Sequence, residues 1–211
     1  MLNKAGKILA IIYHPIFMVW YLSMDIYFSF HGQDIALNFP TIPICIVFIF
    51  TVMIPIAATY FTTGDLYLSD RKTRSLPIGI SIVSYIACYY FLTKFFHENY
   101  SFSLSFLLII FIIGLALVWL INHKYKISLH GTGIGAIYPI LFVLIYSLAH
   151  SHLWIPFTIN ILFLLLSFLV LVQRISSGAH KVSEVISGTI LGMSVSVAIY
   201  FATMAIIRNF I

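Results

Sequence analysis

The chain has 211 residues, of which 62% are hydrophobic and 8% are charged, and its net charge is +5. A soluble domain is about 45–50% apolar and about 25% charged, so the few polar residues here do not suffice to cover the apolar bulk with a water-facing surface. The composition therefore excludes a soluble domain and predicts a membrane protein, and it does not indicate nucleic-acid binding because the cations lie in loops between apolar runs.

Seven apolar runs have about the length that a helix needs to cross a bilayer, which is about 20 residues. In chain order the predicted spans are 8–30, 40–62, 76–96, 102–122, 130–149, 154–173 and 184–207. The sequence thus predicts an all-α, multi-pass transmembrane helical bundle that forms a single domain over residues 1–211.

Prolines and glycines within the runs predict local features of three spans. We expect Pro15 to kink the first helix, and Pro43 and Pro55 to kink the second. In the last run, Gly188 and Gly192 have the small-x-x-x-small spacing that lets two membrane helices approach closely.

The connections between the runs are short, so the N-terminus and the loops after the second, fourth and sixth runs share one face of the membrane. Nine cations lie on that face, against Lys94 and Arg208 on the other: Lys4, Lys7, Arg71, Lys72, Arg74, Lys124, Lys126, Arg174 and Lys181. The positive-inside rule places the cation-rich face in the cytoplasm. Five of the nine belong to the anion site described next, and without them the count is four against two.

Three loops on this shared face carry almost all the polar residues that are able to do chemistry. They cover residues 69–77, 123–133 and 174–184. Because two helices separate each loop from the next, all three can meet in one cluster. Guanidinium, ammonium, imidazole and hydroxyl groups with little acid nearby predict an anion site, and arginine suits phosphate oxygens in particular.

The third loop carries the most specific pattern. His180 and Glu184 are four residues apart, so on a helix their side chains share a face and touch. A carboxylate beside an imidazole fixes the tautomer of the ring and raises its nucleophilicity. Arg174 precedes this pair, and the start of the following helix adds N–H groups and a dipole that favour an anion.

The second loop contains Ser128 and His130 at the start of a span. We expect Ser128 to cap that helix and to donate to an oxyanion, and His130 to give a proton to a leaving alkoxide. Gly131 and Gly133 leave room for a close backbone approach. No strand precedes these glycines and no Gly-Lys-Ser/Thr follows them, so they are not a dinucleotide or phosphate-loop fingerprint.

At these residues the sequence resembles the type 2 phosphatidic acid phosphatase superfamily of membrane lipid phosphatases. The signature of that family is K-x6-R-P, then P-S-G-H, then S-R-x5-H-x3-D, in this order. Arg174-x5-His180-x3-Glu184 reproduces the spacing of the third motif, with Glu in place of Asp and Gln173 in place of Ser.

The other two motifs are matched less closely. Ser128–His130 is similar to the end of the second motif, with Leu in place of its Gly and Ile in place of the preceding Pro. Arg74 and Pro77 are similar to the end of the first motif with two residues inserted, and Arg71 or Lys72 stands in for its lysine. The resemblance covers roughly residues 65–190, and the order of the motifs supports it.

The resemblance implies a phosphatase-like helical core and hydrolysis of phosphomonoesters without a metal or another cofactor. His180 would attack phosphorus and form a phosphohistidine, with Glu184 orienting it, and His130 would protonate the departing alcohol. The residues that would hold the phosphoryl oxygens are Arg174, Arg74 and Ser128, with Arg71 or Lys72 adding charge. The implied partner is a membrane lipid substrate, either a lipid phosphate or an isoprenyl diphosphate that enters from the bilayer of the cell membrane.

Several alternatives stay open at this point. The same cluster suits a non-catalytic protein that binds or moves an anionic lipid, or a phosphotransferase that passes the phosphoryl group to an alcohol. The cations at 71–74 also fit ordinary cytoplasmic charges, and His130 also fits an interfacial histidine. Bacterial relatives within the superfamily commonly work on the extracytoplasmic side, whereas the charge count favours the cytoplasm. The sequence defines neither the specific lipid nor the oligomeric state.

Overall fold

The computed structural model describes residues 8, 10–31, 41–64, 71–96, 99–149 and 154–210, and every regular element in these ranges is helical. The helices are α1 (Pro15–His31), α2 (Thr41–Phe48 and Ile54–Thr63, joined by the π-helical turn Ile49–Met53), α3 (Ser75–Phe95, preceded by the 3-10 turn Lys72–Arg74), α4 (Asn99–Asn122), α5 (Leu129–Ala149), α6 (Trp154–Ser176) and α7 (Val182–Phe210). Lys4, Lys7 and the first two residues of the 69–77 loop lie outside the described residues.

Six of these helices, α2 to α7, are long and apolar enough to cross a membrane. The predicted all-helical, multi-pass membrane architecture is therefore confirmed at this level. Helix α1 has 17 residues in the described part of the chain, which is short for a span. A seventh span therefore stays a prediction.

Large apolar side chains cover the outside of the bundle. Phe61, Phe142 and Phe201 are 82%, 73% and 66% exposed. In lipid such side chains meet hydrocarbon instead of water, so their exposure carries no hydrophobic penalty. The arrangement fits a bundle whose solvent is the bilayer, as the composition predicts.

Helix α5 lies at the centre of the bundle. In the most apolar stretch of each membrane span, 56% of the residues of α5 are buried inside the bundle, against 22% of those of α6. Its core residues Ile134, Ile137 and Leu141 are at most 1% exposed. The first turn of α5 carries His130, so this histidine is held by the most enclosed helix among the spans.

Helices α5 and α7 touch backbone to backbone near their starts. A Cβ atom at Gly188 would lie 2.7 Å from the carbonyl oxygen of Ser128, and one at Gly131 would lie 2.8 Å from that of Val185. At Gly192 a Cβ would overlap the carbonyl of Thr132 in the same way. The close approach predicted from the glycine spacing is confirmed.

The prolines act differently from the predicted kinks. Residues 10–12 are helical, the helix is interrupted at Tyr13 and His14, and α1 begins at Pro15, which occupies the first helical position, where its missing N–H is not needed. The proline therefore marks a break between two helical segments and not a bend within one continuous helix. Pro43 lies in the first turn of Thr41–Phe48, where the same argument holds. Pro55 is the second residue of the second half of α2, directly after the π-helical turn Ile49–Met53. The wider turn leaves space for the proline ring beside the carbonyl four residues earlier.

Candidate functional site

The loop between α6 and α7 folds back on the last turn of α6. Gly178 adopts a left-handed conformation with φ of 70°, which glycine reaches without steric cost. The backbone N–H of His180 then donates to the carbonyl oxygen of Arg174 at 3.2 Å, and the hydroxyl of Ser177 donates to the same oxygen at 3.2 Å. The turn therefore returns His180 to the level of Arg174.

His180 and Glu184 form the contact that their spacing predicts. Nδ1 of His180 lies 2.7 Å from Oε2 of Glu184, and the histidine is 6% exposed. Since Nδ1 donates to the carboxylate, the lone pair of the ring is on Nε2, and this nitrogen is the one able to attack an electrophile. The same carboxylate oxygen accepts the backbone N–H of Lys181 at 3.4 Å, which fixes the Glu184 side chain at the start of α7.

Burial and surrounding cations keep His180 uncharged. Burial is the largest cause that lowers the pKa of His180, and the charges of Arg174, Arg74 and Lys126 lower it further. The hydrogen bond to Glu184 acts in the opposite direction and raises the pKa. The net direction is downward, so the neutral, nucleophilic ring predominates at neutral pH. The three cations come from three different loops, so all three loops contribute to the electrostatic surroundings of this imidazole.

Hydrogen bonds to backbone carbonyls tie the first loop to the second. Nη1 of Arg74 donates to the carbonyl oxygen of Ile127 at 3.1 Å, and Arg74 is only 3% exposed. Nη1 of Arg71 donates to the carbonyl oxygen of Lys124 at 2.6 Å. Arg71 is partly exposed and Lys72 is exposed, so both lie at the rim of the cluster whereas Arg74 lies inside it.

The second loop is tied in turn to the third. Nζ of Lys126 donates to the carbonyl oxygen of Ala179 at 3.3 Å. The backbone N–H of Ser128 donates to the carbonyl oxygen of Glu184 at 3.1 Å. The two loops that carry the predicted acid and the predicted nucleophile are therefore connected through their backbones, which limits relative movement between them.

Ser128 caps α5, as its position predicts. Its Oγ accepts the backbone N–H of Gly131 at 3.1 Å, and the residue is fully buried. The predicted donation from this hydroxyl to a phosphoryl oxygen stays a prediction.

His130 is buried, with 3% exposure, and lies within electrostatic reach of both Arg174 and His180. Its Nε2 lies 3.1 Å from the carbonyl oxygen of Ala10. Because a carbonyl oxygen only accepts, Nε2 carries a proton, and Nδ1 is the nitrogen left for exchange with a substrate. The structure thus brings Arg174, His180, Glu184, Arg74 and His130 together at one end of the bundle.

Sequence reasoning did not assign two residues of this cluster. The sequence identifies Lys126 only as one of the loop cations, although it stands two residues before Ser128 and acts electrostatically on His180. The sequence analysis assigns no role to His14, which precedes Pro15, yet its ring lies 5.1 Å from that of His130, centroid to centroid. The signal that could have found His14 is the parity argument, which places the N-terminus on the same face as the three loops.

Within the described part of the chain, no group of three or more His, Cys, Asp or Glu side chains is arranged to hold a metal ion. The chain matches no protein-family model, no curated protein and no solved structure.

Proposed function

We propose that this chain is a membrane-embedded phosphatase that hydrolyses a lipid phosphate or an isoprenyl diphosphate through a phosphohistidine at His180. The observation that carries the proposal is the 2.7 Å contact between His180 and Glu184. It leaves Nε2 of a neutral imidazole as a nucleophile under the influence of Arg174, Arg74 and Lys126. This combination of nucleophile, orienting acid and cations suits attack on a phosphoryl group. The order of motifs that resembles the type 2 phosphatidic acid phosphatases supports the same reaction class.

The reaction proceeds in two displacements. In the first, His130 enters as an imidazolium with protons on both ring nitrogens. Nε2 of His180 attacks phosphorus while the bond from phosphorus to the alcohol oxygen breaks, and the Nδ1 proton of His130 moves to that oxygen, which leaves His130 neutral. In the second, water attacks phosphorus and gives a proton to His130 while the bond from phosphorus to Nε2 breaks. Arg174 and Arg74 stabilise the charge that moves among the phosphoryl oxygens in both steps.

The location of the cluster supports a lipid substrate. The cluster lies where α3, α5 and α7 begin and α6 ends, at one end of helices that are apolar enough to span a membrane. A phosphate headgroup at the membrane surface reaches this end while its hydrocarbon chain stays in the bilayer.

Replacing His180 with Ala is the direct test of the nucleophile. We expect phosphate release from lipid phosphates in detergent to fall by about 1,000-fold or more, because the covalent route is removed. The matched control is His123→Ala, since His123 is exposed and its Nδ1 lies 2.8 Å from the carbonyl oxygen of Trp119 in the last turn of α4. Full turnover by the His180 variant, or equal losses in both variants, contradicts the proposal.

The proposed chemistry uses protein cations in place of a metal ion. We therefore expect EDTA to leave phosphate release unchanged, measured on purified protein before and after chelation. A loss of activity that Mg²⁺ restores contradicts a metal-independent reaction.

A non-catalytic protein that binds or moves anionic lipids is the second candidate, and one observation favours it. Nε2 of His130 is already bonded to the carbonyl of Ala10, as expected of a structural histidine. Binding needs the cations but no proton donor and no orienting acid. If Ala at both His130 and Glu184 leaves function intact while Arg174→Ala destroys it, the binding protein is the correct interpretation. A phosphotransferase is distinguished from a hydrolase by supplying an acceptor alcohol and measuring phosphorylated alcohol against free phosphate.

We also propose that the cluster faces the cytoplasm from the cell membrane, on the basis of the positive charge in its loops. With seven spans the C-terminus then lies on the opposite side. A reporter fused to the C-terminus and active only outside the cytoplasm supports this orientation, and a reporter active only in the cytoplasm contradicts it.

A further inference from the structure

The chain that precedes α1 reaches across to the start of α5. Ala10 is 2% exposed, and its carbonyl oxygen lies 3.1 Å from Nε2 of His130, a residue 120 positions away. Pro15 packs directly on α5 as well, since a Cβ at Gly133 would lie 3.1 Å from the Cβ of Pro15. Segment 10–15 therefore contacts the first turn of α5, where the predicted proton donor is located.

His14 is held in this segment with a defined ring orientation. Its Nδ1 accepts the backbone N–H of Ile16 at 3.4 Å, so the neutral ring carries its proton on Nε2 and His14 caps α1. The plane of its ring stands at 85° to that of His130, with 5.1 Å between the centroids. Edge-to-face contact of this kind is a favoured geometry for two rings.

We propose that His14 is a positioning residue for His130, and that segment 10–15 is a fourth component of the site beside the three loops. This inference rests on the proposed phosphatase function. The Ala10 carbonyl holds the proton on Nε2 of His130, and the His14 ring blocks the rotation that would exchange Nδ1 with the carbon opposite it. Nδ1 of His130 is thereby kept at the place where the proton is transferred.

The role is confined to proton transfer. When Nε2 of His180 forms its bond to phosphorus, the bond from phosphorus to the alcohol oxygen breaks and the proton on Nδ1 of His130 moves to that oxygen. An alkoxide is a poor leaving group and needs this proton, whereas a nitrophenolate leaves readily without it. Loss of correct positioning therefore slows reactions of alkyl phosphates far more than those of aryl phosphates.

A purely structural role for His14 predicts a different result. If the ring only caps α1, its removal lowers stability and reduces turnover of all substrates by one common factor. His14→Asn separates the two roles, because asparagine is a good cap but has no imidazole ring. His14→Ala removes both the cap and the ring.

The experiment compares the intact chain with His14→Ala, His14→Asn and His130→Ala in detergent, using dodecyl phosphate and p-nitrophenyl phosphate. We expect both His14 variants to lower kcat/KM on dodecyl phosphate about 10- to 100-fold and on p-nitrophenyl phosphate less than about threefold, with His130→Ala showing the same pattern more strongly. The ratio kcat/KM is compared because it reports the first displacement, in which the leaving groups differ, and not the second, in which His130 serves both substrates. We expect His14→Asn to keep the melting temperature of the unmodified chain.

Two results overturn the inference while leaving the proposed function intact. One is an equal loss on both substrates in the His14 variants, and the other is normal dodecyl phosphate turnover in His14→Asn. An unmodified chain without activity on either substrate, or activity that survives His180→Ala, overturns the proposed function and this inference with it.

Discussion

The pair formed by α5 and α7 is packed in two different ways along its length. Near the site, the helices touch through glycine, and a Cβ at Gly135 would overlap the backbone of Thr189. Farther along, the same helices separate and form, together with α6, an apolar groove of about 870 Å³. Its lining includes Tyr138, Phe142, Leu164, Phe168, Val197 and Phe201.

The difference shows which part of the bundle needs fixed geometry. Where the two backbones touch, no side chains lie between the helices and none can rearrange there. The start of α5, which carries His130, therefore keeps a fixed distance from the start of α7, which His180 precedes. The groove half is lined by large side chains that lipid can also contact, and its exact spacing bears less on the polar cluster. Three tests examine this contrast, beginning with the largest expected effect.

The first test places the same methyl group at two glycines. Gly135→Ala inserts a Cβ where the Thr189 backbone lies, whereas Gly114→Ala on α4 inserts one where no atom lies within 4 Å. We expect Gly135→Ala to lose about 1–3 kcal/mol of stability or more, and to lose activity because α5 and α7 must separate. Gly114→Ala should be neutral or slightly stabilising in thermal unfolding measured in detergent. Equal melting temperatures for the two variants would show that the backbone contact does not fix the site.

The second test uses pH to examine the electrostatics of the tightly packed end. Burial and neighbouring cations lower the pKa of His180, so its neutral form persists below the ordinary value of about 6.5. In a plot of kcat/KM against pH, we expect the fall in activity on the acid side (the acid limb) to occur below about pH 6.5, because protonation of His180 removes the nucleophile.

Two variants should move this limb in opposite directions. Arg74→Met removes a charge that lowers the pKa of His180, so the limb moves to higher pH. Glu184→Gln weakens the interaction that raises this pKa, so the limb moves to lower pH while the rate at the optimum falls. The ionisation of the substrate is common to all variants and cancels in the comparison. Identical limbs in the three proteins would contradict the assignment of His180 as the group that titrates.

The third test is made in the groove and has the smallest expected effect. Phe168 is 59% exposed to the surroundings of the bundle, so Phe168→Ala exchanges contact with lipid more than contact with protein. We expect a change within about 0.5 kcal/mol in thermal unfolding. Leu141→Ala is the control, since Leu141 is 1% exposed and its truncation should cost about 2–5 kcal/mol. A large loss from Phe168→Ala would mean that the groove half is as tightly specified as the site.

Local periodicity explains which parts of the site the sequence predicts. The four-residue spacing predicts that His180 and Glu184 touch, although His180 lies in the turn before α7 and only Glu184 lies on the helix. The position of Ser128 before a helix predicts that it caps α5. Glycines at four-residue steps likewise predict that another helix approaches α7 closely, and the structure identifies that helix as α5. Each of these predictions depends on residue spacing within a few positions of the chain, so none requires knowledge of which helices pack together.

The remaining contacts depend on how distant helices pack. The bond from His130 to Ala10 spans 120 positions, and no local pattern at either residue indicates the other. Likewise, Arg74 was expected to hold phosphate oxygens, and nothing in the sequence indicates that its Nη1 bonds to the carbonyl of Ile127. At Pro15, the sequence indicates a disturbed helix but does not distinguish a bend from a new beginning.

The hydrogen bond from the His180 N–H to the Arg174 carbonyl closes a loop between two residues that are six positions apart in the chain. Adding or deleting one residue there would carry the imidazole to another side of the helix end, whatever amino acid is involved. In divergent chains of this kind, the number of residues in that turn should therefore persist longer than their identities. Engineered insertions should be tolerated least at this point of the chain.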